Sequence, residues 1–421
     1  MKKIKEFIWN KVPFVKFIHK QIICFIKYLQ FLIVKQRQKK VYKNLCLIAK
    51  QNKRKLKIGF LVNENEKWCC QTLYDKLKQG KHFEPIILLT SLNEINREKL
   101  DEKYSKNVEF FNKYCNNIQI VYNNKTKQFD NLEKYKIDIV VYQQPWFIAK
   151  NQNLFSISKY ALAIYIPYAF VEEYEIINMF KYNFHYMLFK EYISHEFIEQ
   201  EYKNKGYKEN NLKVVGYTKL DRYSDNKKYE KKYVIYAPHH SFGKRSLKLG
   251  TFEWNGKYIL EYAKKHSDFN WVFKPHPRLK TELLKNNLFK NTEEIDAYYS
   301  EWAKIGSVYE EGNYIDLFKQ TKCLITDCLS FLVEFLPAES PVINLKRKDS
   351  VCIPQITDKI SKAYYQVYDL EELRKILFDV LEKNIDVKKQ ERLNLKEELN
   401  IVRNASDNII EDLENTFCKN F

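Results

Sequence analysis

Trp271-Val272-Phe273-Lys274-Pro275-His276-Pro277-Arg278 is the stretch on which the reading of this chain turns. Three large apolar residues end at a lysine, and two prolines stiffen the exit. A short apolar run bounded by turn residues predicts a strand buried on both faces. The same grammar recurs on either side. Tyr233-Val-Ile-Tyr-Ala237 runs into Pro238-His239-His240-Ser241, and Cys323-Leu-Ile-Thr326 runs into Asp327-Cys-Leu-Ser330-Phe-Leu-Val-Glu334. Helical stretches from Tyr258 to His266, Ile315 to Lys319, Phe331 to Leu336 and Leu370 to Lys383 separate or follow these runs, and Val342 to Leu345 adds another strand. Strands alternating with helices predict a parallel sheet covered on both faces.

The pattern also extends upstream. Ile58 to Val62, Pro85 to Thr90, Ile118 to Tyr122, Ile137 to Tyr142, Ala163 to Ile166 and Tyr186 to Phe189 read as strands, with a helix from Trp68 to Lys78. Val214 to Asp221 closes this first series. The polar stretch Asp225 to Lys232 lacks apolar periodicity and reads as a linker. A chain of 421 residues is too long for one ordinary core. The expected architecture is therefore α/β, with two tandem doubly wound, Rossmann-like domains at 57–224 and 225–385. A basic helical arm at 1–56 precedes them and a charged helical tail at 386–421 follows. Two such sheets facing a cleft make the GT-B plan, with ligands at the C-terminal ends of strands.

Composition narrows the function classes. With only 9 glycines, the chain has neither a G-x-G-x-x-G nor a G-x-x-x-x-G-K-[ST] loop. The nine cysteines are scattered without a C-x-x-C, so neither a disulfide framework nor a zinc site is expected, and a reducing cytoplasm fits. The net charge of +19 is concentrated at one end. Residues 1–57 hold 17 Lys/Arg against the single acid Glu6, a net +16. A nucleic-acid surface across the body is therefore not expected.

Within the arm, Phe14, Val15, Ile18, Ile22, Ile23, Phe25, Ile26, Leu29, Leu32 and Ile33 fall mostly on one helical face, with Lys16, Lys20 and Lys27 opposite. The longest apolar run contains Lys27 and Gln30, too short and polar to span a bilayer, and no cleavage site of a signal peptide follows. A basic amphipathic helix on an anionic membrane is the expected partner and location, peripheral on the inner face of the cell membrane. The plainer reading is a helix packed on the body with solvated lysines.

The turns after the strands carry the candidate chemistry. Lys274, His276 and Arg278 place cationic or donor groups rigidly at a strand end, suiting a diphosphate. His276 is a hydrogen-bond donor to a phosphate or a group titrating near neutral pH. Thr326, Asp327 and Ser330 stand where a strand meets a helix, an arrangement that binds anions through backbone N–H groups. The plainer reading is that Asp327 or Ser330 only caps the helix. Glu334, one turn along, is placed to accept hydrogen bonds from ribose hydroxyls. Pro238, His239 and His240 face the cleft. Neighbouring histidines in one turn rarely share an ion, so no metal is expected, and no cofactor.

These segments, in this order, resemble the CDP-glycerol glycerophosphotransferase family of teichoic-acid and capsule polymerases. Gly216-Tyr-Thr-Lys-Leu-Asp221 partly matches the family's G-Y-P-R-N-D element, and Tyr236-Ala-Pro238 its Y-A-P-T-W strand end. Lys274 to Pro277 matches K-x-H-P. Ile325-Thr-Asp327 with Ser330 matches I-T-D-x-S-S, and Glu334 takes the place of the acid that follows. Pro341-Val-Ile343 resembles the family's K-P-V-I. The resemblance covers residues 210–345 and implies a nucleotide-diphosphate donor, CDP-linked in that family, and a glycan or lipid-linked acceptor. The family's base histidine, in W-H-G-T-P-L-K, has no counterpart in Ile166-Pro-Tyr-Ala-Phe170 or Gln144-Pro-Trp146. His240, Glu172 or Glu173 would have to take the acceptor's proton. The resemblance implies transfer of a glycerophosphate-like group to a cell-surface glycan hydroxyl. Transfer of a sugar from a nucleotide sugar, or a non-catalytic membrane scaffold, are the alternatives.

Overall fold

A computed structural model describes residues 13–51, 53–91, 98–123, 125–170, 179, 184–207, 211–225, 227–242, 248–350 and 355–419. Two parallel sheets organise the chain. The first contains β1 (Leu56–Val62), β2 (Phe83–Leu89) and β3 (Ile118–Ile120), and a small antiparallel hairpin of β4 (Tyr122–Asn123) and β5 (Gln128–Phe129) follows β3. It continues with β6 (Ile139–Tyr142), β7 (Leu162–Tyr165), β8 (Lys190–Ile193) and β9 (Leu212–Val214), in the order β3-β2-β1-β6-β7-β8-β9. The second contains β10 (Tyr233–Ala237), β11 (Asn270–Phe273), β12 (Gly306–Val308), β13 (Thr321–Thr326), β14 (Val342–Leu345) and β15 (Tyr365–Val367), ordered β12-β11-β10-β13-β14-β15. Each sheet winds outward from its first strand and then reverses. The switch falls between β1 and β6 in one sheet and between β10 and β13 in the other, where open α/β sheets bind ligands.

The central strands are buried because their sequence is apolar on both faces. Ile58, Phe60, Ile139, Val141, Val234, Ile235, Leu324 and Ile325 are all buried. Gly59 leaves room for its neighbour: a Cβ there would lie 2.5 Å from Leu88 Cδ1 and would displace that side chain.

The sequence expectation misplaces one strand. Tyr186 to Phe189 is not extended; Phe184–Met187 is helical and the strand is Lys190–Ile193. The charged opening of β8 hides it from an apolar pattern. Glu191 is fully buried, yet its carboxylate is satisfied by His185 Nδ1 (2.9 Å) and the Tyr202 hydroxyl (2.6 Å). The three-residue strands β9, β12 and β15 are too short to leave a periodic signature.

The C-terminal residues return to the first sheet. The helix Ala405–Glu414 packs on the helix Gln71–Gln79 and on the turn Thr218–Tyr223. Leu395, Leu399, Ile401, Ile409, Leu413 and Phe417 join one apolar core with residues of both sheets. Asp221 fixes the contact, accepting hydrogen bonds from the N–H groups of Ala405 and Ser406, both at 2.7 Å.

Within the described residues the arm is one helix, Pro13–Lys50. Its C-terminal half docks through Val34, Gln38, Val41 and Leu45, spaced to share one face. Gln38 donates to the carbonyl of Met187 at 2.7 Å and Tyr42 to that of Thr416 at 3.2 Å.

Candidate functional site

Parallel pairing decides what meets what. Tyr236 pairs with Phe273 on one side and Ile325 on the other, so β11, β10 and β13 end side by side. The segments starting at Pro238, Lys274 and Thr326 thus emerge from one sheet edge at the switch point. Hydrogen bonds tie them together. The N–H of His276 donates to Pro238 O (3.2 Å), and Thr326 Oγ1 donates to Ala237 O (2.7 Å). Asp327 accepts from the N–H of His239 (2.5 Å), the N–H of Thr251 (2.6 Å) and the Thr251 hydroxyl (2.7 Å). Burial pushes the Asp327 carboxyl up to about 6 while those donors oppose the shift. Thr326 and Asp327 therefore frame the site, with their own oxygens committed to protein. The helix after them, Leu329–Phe335, has seven residues, and the Ser330 hydroxyl lies 3.3 Å from Cys328 Sγ.

Three histidines converge on this edge. His240 and His276 stack with ring centroids 3.8 Å apart, and His239 lies 4.4 Å from one and 5.1 Å from the other. One ring nitrogen from each lies within 4.8 Å of the others, a group able to hold a metal ion. The sequence objection to a shared ion considered only the adjacent pair; the sheet supplies the third ring. Hydrogen bonding nonetheless favours an anion. The N–H of Ser241 donates to His239 Nδ1 (3.3 Å), and that of Arg278 donates to His276 Nδ1 (3.0 Å). A ring nitrogen that accepts carries no proton, so in both neutral rings Nε2 is a donor rather than a metal ligand. Burial lowers His239 to about 3 and His240 to about 4, and pushes His276 well below its usual range. His276 is therefore a neutral donor, not the group titrating near pH 7 that its sequence context suggests. His240 Nδ1 is buried without a hydrogen-bond partner. Pro238 is buried, whereas Arg278 is exposed.

Lys274 points inward. Its Nζ donates to Glu311 O (3.1 Å) and lies over the rings of Tyr314 (4.7 Å) and Tyr309 (5.0 Å). Burial first, and the charge of Lys219 second, bring it down to about 8. Lys219, equally buried, comes from the turn Thr218–Tyr223 of the first half. Its Nζ donates to the Tyr314 hydroxyl (3.0 Å) and stands 3.5 Å from Glu334. Glu334 is 1% exposed, and its carboxylate also accepts from the hydroxyls of Tyr314 and Tyr217 (the latter 3.2 Å). A ribose would have to displace one of these partners. Lys219 thus pairs with a buried carboxylate where the halves meet, and Lys274 is near enough for the charge of Lys219 to lower its pKa.

Local sequence gives Lys219 a place in a motif but no role, and gives Tyr314 no signal. The signal for Lys219 was its place just past the last strand of the first sheet. Tyr314 lies in a loop without pattern. On the first half, Gln144 and Trp146 follow β6, and Tyr168 follows β7. Lys67 donates to Gln144 Oε1 (2.7 Å) and lies over both rings, at 5.6 and 5.2 Å. The two stretches without the family's histidine are therefore neighbours at the facing sheet edge. Glu172 and Glu173 lie outside the described residues.

The two sheets, their strand orders and the site at the switch point define a GT-B fold. Solved structures agree. The chain is similar to a UDP-GlcNAc 2-epimerase from Neisseria meningitidis bound to UDP-GlcNAc, at 14% identity and a TM-score of 0.53, covering 86% of this chain and 100% of that one. It is also similar to an MnaA–UDP co-structure from S. aureus (14% identity, TM-score 0.50, covering 85% and 96%). A third, a UDP-N-acetylglucosamine 2-epimerase, gives 13% identity and 0.52, covering 86% and 96%. No protein-family profile and no curated protein sequence matches the chain.

Proposed function

We propose that this protein is an enzyme that binds a nucleoside-diphosphate sugar, with the diphosphate held by the loops after β10, β11 and β13, and transfers the sugar to a hydroxyl. The buried positive charge carries the reading: Lys219 stands 3.5 Å from Glu334, and Lys274 makes no ion pair with a carboxylate among the described residues. Unpaired buried charge is costly and is relieved by a bound anion. The Nε2–H groups of His239 and His276 add neutral donors beside it. In the transfer, the acceptor oxygen attacks the anomeric carbon, and the bond from that carbon to the β-phosphate oxygen breaks. The electron pair leaves on the diphosphate, where lysine charge and imidazole donors stabilise it. His240 Nδ1, unoccupied by any protein donor, is the proton acceptor that the described residues offer. The compared structures named with UDP or UDP-GlcNAc support a nucleotide-sugar ligand.

A second reading is favoured by one observation, the ordered K-x-H-P and I-T-D-x-x-S segments brought to the same sheet edge. On it, the donor is CDP-linked, the hydroxyl attacks the β-phosphorus, and CMP leaves. Product analysis separates the readings. Purified protein is incubated with UDP-, GDP- and CDP-linked donors, with and without glycan acceptors. Acceptor-dependent release of a nucleoside diphosphate supports sugar transfer, and release of CMP supports the second reading. Conversion of UDP-GlcNAc to an epimer without acceptor would place the chemistry with that of the compared epimerases. A thermal midpoint unmoved by any nucleotide would leave only the scaffold alternative.

A further inference from the structure

The arm helix is built in two halves that present opposite faces. Its second half is docked through Val34, Gln38, Val41 and Leu45. Its first half leaves Ile18, Ile22, Phe25, Ile26, Leu29, Leu32 and Ile33 between 40% and 61% exposed. At about 100° per residue, this stripe lies on the side of the helix opposite the docked face. It is about 20 Å long at 1.5 Å per residue. No helix among the described residues is long and apolar enough to cross a membrane.

We infer that this stripe lies flat in the interface of an anionic lipid bilayer and holds the enzyme on that surface. The inference is independent of the nucleotide reading. Charge selects the occupant. The segment that carries the stripe has 17 Lys/Arg and one acid in residues 1–57, so a second copy would be repelled where an anionic surface is attracted. One turn beyond Leu32, Lys35 joins Lys190 and Lys213 around a recess of about 410 Å³ whose acid is Asp412. Asp412 already pairs with Lys190 and Lys213, each at 2.6 Å, so the recess keeps a net positive charge suited to a lipid phosphate. The contacts of the arm agree with this orientation. Arg37 and Gln38 bond the carbonyls of Phe155 and Met187, which precede β7 and β8, away from the strand ends that form the cleft.

The test uses the full chain in sedimentation with vesicles of phosphatidylcholine alone and of phosphatidylcholine with phosphatidylglycerol in equal parts. Binding is expected to the mixed vesicles and to weaken as salt rises. The triple variant Ile22→Glu, Phe25→Glu, Leu29→Glu changes only exposed side chains, so its thermal midpoint and its nucleotide response should match the parent. Each change is expected to remove about a tenfold factor in vesicle affinity. Parent protein left in the supernatant, or binding that the triple variant retains in full, overturns the inference. So does a parent dimer that the triple variant converts to monomer, which would make a second copy the occupant.

Discussion

Lys274 illustrates how one residue can be costly to the free fold and, under the proposed function, necessary to its ligand. Its pKa of about 8 lies below the ordinary 10.5, first because it is buried and then because Lys219 is near. Between these values the unfolded chain holds a proton that the folded chain lacks, so stability should rise with pH across that window. Lys274→Met should abolish that rise, leave the ligand-free midpoint at pH 7 unchanged or higher, and eliminate the nucleotide-induced shift. Nucleotide affinity of the parent should fall as pH climbs through about 8, which calorimetry would read directly. On the acid side, His239 and His240 fall to about 3 and 4 from 6.5 and burial holds His276 well below its usual range, whereas Asp327 rises to about 6 from 3.8. Between pH 4 and 6 the unfolded state then binds more protons at the histidines than the folded state gains at Asp327. Urea midpoints should therefore decline as pH falls from 6.5 toward 4, and His240→Gln should flatten that decline.

At the scale of elements, the segment from Gly216 to Tyr223 does more than end the first half. Gly216 has φ +102°, and a Cβ there would lie 2.9 Å from Arg403 Cβ and 3.2 Å from Ala405 Cβ. Gly216→Ala would thus both strain the backbone and push away the helix Ala405–Glu414. A loss of about 2–3 kcal/mol is expected in denaturant titration. Asp221→Asn replaces the acceptor of two backbone N–H groups and should cost about 1–2 kcal/mol. The G-Y-T-K-L-D stretch was legible as a motif, but its structural work was not, because its partners lie more than 180 residues away.

At the scale of the whole molecule, the two sheets are coupled through shared apolar packing. One of three apolar cores among the described residues runs from Val41 to Phe417 and takes in Ile235, Leu324 and Val342 of the second sheet with the strands of the first. Unfolding in urea followed by tryptophan fluorescence and by far-ultraviolet circular dichroism should therefore give coincident transitions. Removing residues 386–421 would uncover the first sheet's core as well. Leu395, Leu399, Ile409, Leu413 and Phe417 each contribute about 1.5–3 kcal/mol of burial, together as much as a typical domain's net stability. That truncation should yield insoluble protein rather than an intact remainder.

The sequence alone determined the strand–helix alternation, the three strand-end turns and the charge of the arm, because apolar runs, prolines and lysine density are local signals. It misplaced β8 because a buried Glu191 is tolerable only with His185 and Tyr202 in place. Tertiary structure decided the chemistry of the edge. Parallel pairing brought His276 beside His239 and His240, and backbone N–H groups fixed two of those rings as donors. It also brought Lys219 from the other half toward Lys274, and turned Glu334 inward to hold both tyrosine hydroxyls. Net charge in a buried site is a property of which distant residues meet after folding, and no local pattern records it.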